Sequence, residues 1–261
     1  MKRFSISICT LALAALALTG CKKDGDMPAN QVGTVDLAFE QTVGTAPLAL
    51  STQTYTTPAG DQFKITTFKQ YISNIKLTKT DGSVYAVPNS YYLLDAAVPA
   101  TQELALKDIP VGDYKALTFT VGVDSARNVS GAQTGALDPN NNMFWTWNSG
   151  YIYTKLEGTS PQAPKAAGAT EGGLVFHIGG FLRPNNTIRT VTLPFPTGTN
   201  LLIRTDHAPE VHLNADVMKM FTGPNTIRFA TLSNTMGGAN SVLVANNYAA
   251  GMFSVEHIHA N

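Results

Sequence analysis

The chain has 261 residues, 44% hydrophobic and 14% charged, a balance that excludes a disordered chain and can bury a sizeable core. Its 18 basic residues offset 18 acidic ones, so no basic surface is available to release counterions from nucleic acid, and nucleic acid is not an expected partner. Cys9 and Cys21 are the only cysteines, which removes disulfides, thiolate metal sites and cysteine nucleophiles from the rest of the chain. The 22 glycines and 14 prolines are too many for a helical bundle and predict plentiful loops.

Lys2 and Arg3 precede an apolar stretch from Ile6 to Leu18 that is too short to span a bilayer, the pattern of an export signal. Its end, Leu18-Thr19-Gly20-Cys21, resembles the lipobox of bacterial lipoproteins, in which the cysteine is lipidated and becomes the first mature residue. Residues 1–20 are thus expected to form a lipoprotein signal peptide and Cys21 the lipid anchor. Residues 21–33, rich in Lys, Asp, Gly, Pro and Asn, would make a flexible tether, and 34–261 a single domain. The expected location is the bacterial cell envelope, periplasmic or at the outer-membrane surface.

From Thr34, Val35, Leu37 and Phe39 alternate with polar residues, the period of a half-buried strand. Phe68, Tyr71, Ile72 and Ile75, three and four apart, predict a short helix. Turns follow at Asp81-Gly82 and Val111-Gly112-Asp113. A second strand then carries Leu117, Phe119, Val121 and Val123 on one face. Beyond the turn at Asp138-Pro139-Asn140, the small residues from Gly158 to Gly173 read as a mobile loop. Leu174, Phe176 and Ile178 form the next strand, Pro184-Asn185-Asn186 a turn, and Val211, Leu213 and Ala215 a further strand. Asp216 is placed to cap a short helix running to Phe221. The predicted fold is mainly β, a single-domain antiparallel β-sandwich with long loops and short helices.

No P-loop, dinucleotide fingerprint, Gly-x-Ser-x-Gly elbow or His-Glu-x-x-His pair is present, which removes the enzyme classes with readable motifs. The informative residues are five histidines and an aromatic run. In an extended segment His257 and His259 project from one face and can chelate one ion; a solvated tail is the other reading. His177 faces away from Leu174, Phe176 and Ile178, as a ligand or as a hydrogen-bonded structural group. His207, in a proline-flanked loop, and His212, pointing away from Val211 and Leu213, are second-tier metal candidates. Within Gly135–Tyr151, Trp145 and Trp147 share a face with Met143, a soft thioether donor, if the segment is extended; core packing is the other reading and the one the residues alone favour. Asp124, Asn128, Asp138 and Asn140 offer oxygen donors for calcium, but their spacing matches no EF-hand loop and turn capping also accounts for them.

Several of these stretches together resemble the MbnP-like family, named for a copper-binding protein associated with methanobactin. They are Tyr71-Ile72-Ser73-Asn74-Ile75-Lys76-Leu77, Gly122-Val123-Asp124-Ser125-Ala126-Arg127-Asn128, Leu137-Asp138-Pro139, the run Met143 to Tyr151, Lys155-Leu156-Glu157-Gly158, Phe176-His177-Ile178-Gly179, and Asn247-Tyr248 through Met252-Phe253 to His257 and His259. The resemblance implies an extracytoplasmic β-sandwich that holds Cu(I), with His177, His257 and His259 as ligands. It also implies a di-haem oxidase partner that converts a tryptophan, here Trp145 or Trp147, to kynurenine, which joins the histidines in holding Cu(I). The sequence departs from some relatives in having Trp147, not histidine, two positions after Trp145.

The expected function is copper storage or transfer by a lipid-anchored binding protein that is not an enzyme. The alternative is a metal-free surface sandwich binding carbohydrate or protein through the aromatic loop. An enzyme using Asp124 and Glu157 as a carboxylate pair ranks third.

Overall fold

The computed structural model describes residues 31–146 and 150–261. The leader, Cys21, most of the tether and Trp147 lie outside the described residues. Strand β1 (Val32–Val43) begins just ahead of Thr34 and takes Val32 and Gly33 from the expected tether; it buries Val35, Leu37 and Phe39 as their alternation requires.

The helix expected at Phe68–Ile75 is not formed. These residues belong to the long strand β2 (Gln62–Lys79). Two bulges account for the helix-like spacing. Opposite its neighbours the register skips Thr66, between Ile65 and Thr67, and gains a residue between Ser73 and Lys76, where Asn74 takes a positive φ of 52°. The side chains in the main core are therefore Phe63, Ile65, Phe68, Ile72, Ile75 and Leu77, with the steps of two interrupted by longer ones. Tyr71 points to the opposite face.

The remaining strands are β3 (Glu103–Pro110), β4 (Gly112–Val121), β5 (Thr154–Ser160), β6 (Gly172–Ile178), β7 (Arg189–Pro194), β8 (Glu210–Asp216), β9 (Asn234–Met236) and β10 (Phe253–His259), with several shorter ones. Strands β5 and β6 reach into the expected loop and leave 161–171 as the connection. Among the described residues one sheet is five-stranded, ordered β10–β8–β1 with β3 and Ala46–Pro47 on the far side of β1. A second is ten-stranded along β7–β4–β2–β5–β6–β9, and Phe144–Trp145 pairs with Gly150–Tyr151 as a two-stranded third. Most pairs are antiparallel, as expected of the sandwich, but β1 with β8 and β6 with β9 run parallel.

The sheets enclose one core. Phe119 of β4 meets Phe39 of β1 edge-on at 6.1 Å and Phe253 of β10 at 5.0 Å, so rings from both sheets interlock. Asp216 caps the 3-10 turn Val217–Met220 through the N–H of Met218, as its position predicts. Helix α1 (Gly238–Gly251), which has no counterpart in the sequence reading, joins the main core through Val244, Ala245 and Tyr248. Among the described residues no helix is long and apolar enough to cross a membrane.

A second cluster covers the outer face of β2. It contains Tyr71, Val123, Leu137, Met143, Trp145, Tyr151, Ile152 and Tyr153. Met143 is 0% and Trp145 5% exposed, so the described part of the aromatic run is a packed layer. Gly179 permits this layer: a Cβ there would sit 2.5 Å from the Tyr151 carbonyl and 2.8 Å from the Trp145 ring.

Candidate metal centre

The outward face of the five-stranded sheet carries a group of imidazoles assembled from two strands. Val211 and Leu213 of β8 point into the core, so His212 between them must point out. β10 pairs antiparallel with β8, setting His212 opposite His257 and Glu210 opposite His259. A register shift between His212 and Leu213, where Leu213 faces Val255, leaves Glu256 as the extra residue. Parallel pairing with β1 extends each rung, giving Ala38–His212–His257 and Asp36–Glu210–His259 across three strands.

The His212 and His257 rings stack at 4.4 Å with planes 13° apart, and His259 stands edge-on to both, at 4.8 and 4.5 Å. Nε2 of His257 and Nε2 of His259 are 2.9 Å apart, a contact in which one ring donates and the other accepts. One ligating atom from each of the three histidines lies within 4.8 Å of the others. Bonds of about 2.0 Å to a three- or four-coordinate ion place nitrogen ligands about 3.3–3.5 Å apart, inside the range these rings span. Nε2 of His212 is buried without a hydrogen bond, a cost a ligand would remove. Glu210 Oε2 lies 3.5 Å from it, within ion-pair range but without a hydrogen bond.

Of the expected ligands, the structure brings His257 and His259 together and adds His212 from the second tier. His177 lies elsewhere, on the outward face of β6 in the opposite sheet, where its Nε2 meets Glu157 Oε1 at 2.9 Å and Glu157 is also 3.3 Å from Lys155. Burial pushes the His177 imidazole below its usual pKa and outweighs the attraction of Glu157. At Glu157 burial is opposed by the bond to His177 and the charge of Lys155, which together hold the carboxyl low. The two side chains form a cross-strand hydrogen-bonded pair between β5 and β6. Met143 sits in the buried cluster on that same opposite side, and His207 is paired through Nδ1 with Asp206 at 2.8 Å in the loop before β8. Neither joins the three imidazoles.

Of the oxygen donors considered for calcium, Asp124 and Asp138 cap turns by accepting the Arg127 and Asn140 N–H, while the Asn128 side-chain oxygen accepts the Tyr151 N–H. Asp124 is further engaged by the Tyr91 hydroxyl and Glu157 by Thr67, so each carboxylate of the third functional reading has its own partners. The residue missed by sequence reasoning is Glu210, although the alternation Glu210-x-His212 does place both on one strand face.

A β-sandwich with an open three-imidazole site on an outer sheet face defines the class. The chain belongs to the MbnP family, whose model matches residues 32–240. The fold is also similar to MbnP from Methylosinus trichosporium, with a TM-score of 0.51 and 14% sequence identity over 88% of this chain and 100% of that one. No curated protein matches. The family match ends ahead of β10, so His257 and His259 lie beyond it.

Proposed function

We propose that this protein binds copper in the bacterial cell envelope, held to the membrane by a lipid on Cys21, and stores or hands over Cu(I) rather than catalysing a reaction. The observation that carries this reading is that one ligating nitrogen from each of His212, His257 and His259 lies within 4.8 Å of the others, with Nε2 of His212 buried and unbonded. Three imidazole donors suit copper, and the family's association with methanobactin favours that ion. The half-exposed position on a sheet face leaves the site open to a donor or acceptor of copper.

A kynurenine made from Trp145 by a di-haem oxidase would lie in the cluster on the opposite sheet, away from the three imidazoles. Tryptophan oxidation is accordingly a separate proposal from copper binding at this site; Trp147 lies outside the described residues.

One feature favours the metal-free binding module. A cleft of about 540 Å³ is lined by Trp145 and by the exposed side chains of Val129, Leu182 and Met236. Competition for Cu(I) with a chromophoric chelator separates the readings. Wild type is expected to take one equivalent, and the triple variant His212→Ala/His257→Ala/His259→Ala to take none. If wild type takes none, the binding-module reading gains; if the triple variant keeps its equivalent, copper sits elsewhere.

A further inference from the structure

Resting on the copper reading, we propose that Glu210 is the residue that sets ion choice at this site, by giving doubly charged ions such as Cu(II) and Zn(II) a fourth, oxygen ligand that Cu(I) does not need. Among the described residues, the side chains that β1, β8 and β10 place on this face offer nitrogen and oxygen donors. The thioether considered from sequence, Met143, is fully buried on the opposite side of the sandwich. Soft sulfur donors select Cu(I), whereas imidazole with carboxylate suits divalent first-row ions, with Cu(II) bound most tightly in the series.

Geometry singles out Glu210 among the nearby acids. Its Oε2 is 3.5 Å from the unbonded His212 Nε2, close to the ligand-to-ligand edge of about 3.3 Å in a tetrahedral site. It shares a rung with His259 and a strand face with His212, so it borders two of the three imidazoles. Asp36 is one strand further out on the same rung. Glu210 makes no other ion pair among the described residues, and its side chain is 40% exposed, free to swing toward the histidines. A carboxylate attracts a divalent ion with twice the Coulomb energy it offers a monovalent one at the same distance and dielectric.

The test uses the whole protein and three ions separately: Cu(I) by chelator competition, Cu(II) and Zn(II) by competitive titration, for wild type, Glu210→Gln, and the triple histidine variant. Glu210→Gln preserves shape and removes charge. It is expected to weaken Cu(II) and Zn(II) binding by about tenfold or more while leaving Cu(I) binding within about threefold, and to change the Cu(II) electron paramagnetic resonance spectrum as an oxygen ligand is lost. Histidine-dependent binding of all three ions that Glu210→Gln leaves unchanged would overturn the role of Glu210 and keep the copper site. Failure of wild type to bind any of the ions through these histidines would overturn the site itself.

Discussion

Replacing His212 by alanine is expected to weaken copper binding by roughly 100-fold or more, at least the loss typical of removing a supporting group around a metal. The reason is its position. His212 is in the middle of β8, flanked by the buried Val211 and Leu213 and held by β1 on one side and β10 on the other. Its ring is the best anchored of the three, and its Nε2 is buried without a bond. His259 is the last residue of β10 and exposed, so its alanine variant should lose less. Chelator competition on the single variants, with thermal melts beside it, checks the order. The melts should barely move, because His212 faces outward. Equal losses for all three variants would mean that the rigid strand position of His212 is not what orders the site.

Asp61→Ala should destabilise the fold by about 3 kcal/mol, since it removes a buried carboxylate that accepts charge-assisted hydrogen bonds from the half-exposed Arg228 and strands a buried backbone N–H. For a domain of this size the melting point would fall by roughly 6–12 °C. Asp61 is 1% exposed and accepts from Arg228 Nε at 3.0 Å, Arg228 Nη2 at 2.9 Å and the Phe229 N–H at 2.9 Å. The pair pins the segment that inserts Phe229 against Phe63 and Phe221. Removing the carboxylate leaves the Phe229 N–H buried without its acceptor. Burial pushes the Asp61 carboxyl up, but the hydrogen bonds from Arg228 and Phe229 and the charge of Arg228 bring it below its ordinary value. The carboxylate therefore stabilises the fold above the unfolded pKa of about 3.9, and this contribution is lost as pH falls through the lower folded value. Melts across pH should show a large gap between wild type and variant at neutral pH that narrows below pH of about 4. A constant gap would mean that the variant acts through packing alone.

The sandwich was legible wherever a strand was regular and covered on one face. Val35, Leu37 and Phe39 in β1, Leu174, Phe176 and Ile178 in β6, and Val211, Leu213 and Ala215 in β8 all point where period two puts them. β2 was not legible, because its bulges insert a residue near Thr66 and at Asn74 and it is covered on both faces, so its apolar residues fall at helix-like intervals. α1 was hidden by composition: Gly238, Ala239, Asn240, Ser241, Asn246 and Asn247 carry neither apolar period nor a capping side chain. At the site, the two-residue spacing of His257 and His259 was enough to put them on one face. The placing of His212 beside them depends on the register of β10 against β8, fixed by a bulge and by chain segments far apart in sequence, which no local pattern encodes. His177 resembled a ligand because of its motif, yet the pairing of β5 with β6 places it beside Glu157 on the other sheet.

The most direct measurement is a crystal structure of the copper-loaded protein, with an anomalous difference map recorded at the copper edge. The predicted result is one peak within about 2.0–2.2 Å of a ring nitrogen from each of His212, His257 and His259. A full-occupancy peak beside His177 or within the Met143–Trp145 cluster, with none at the three imidazoles, would contradict the account.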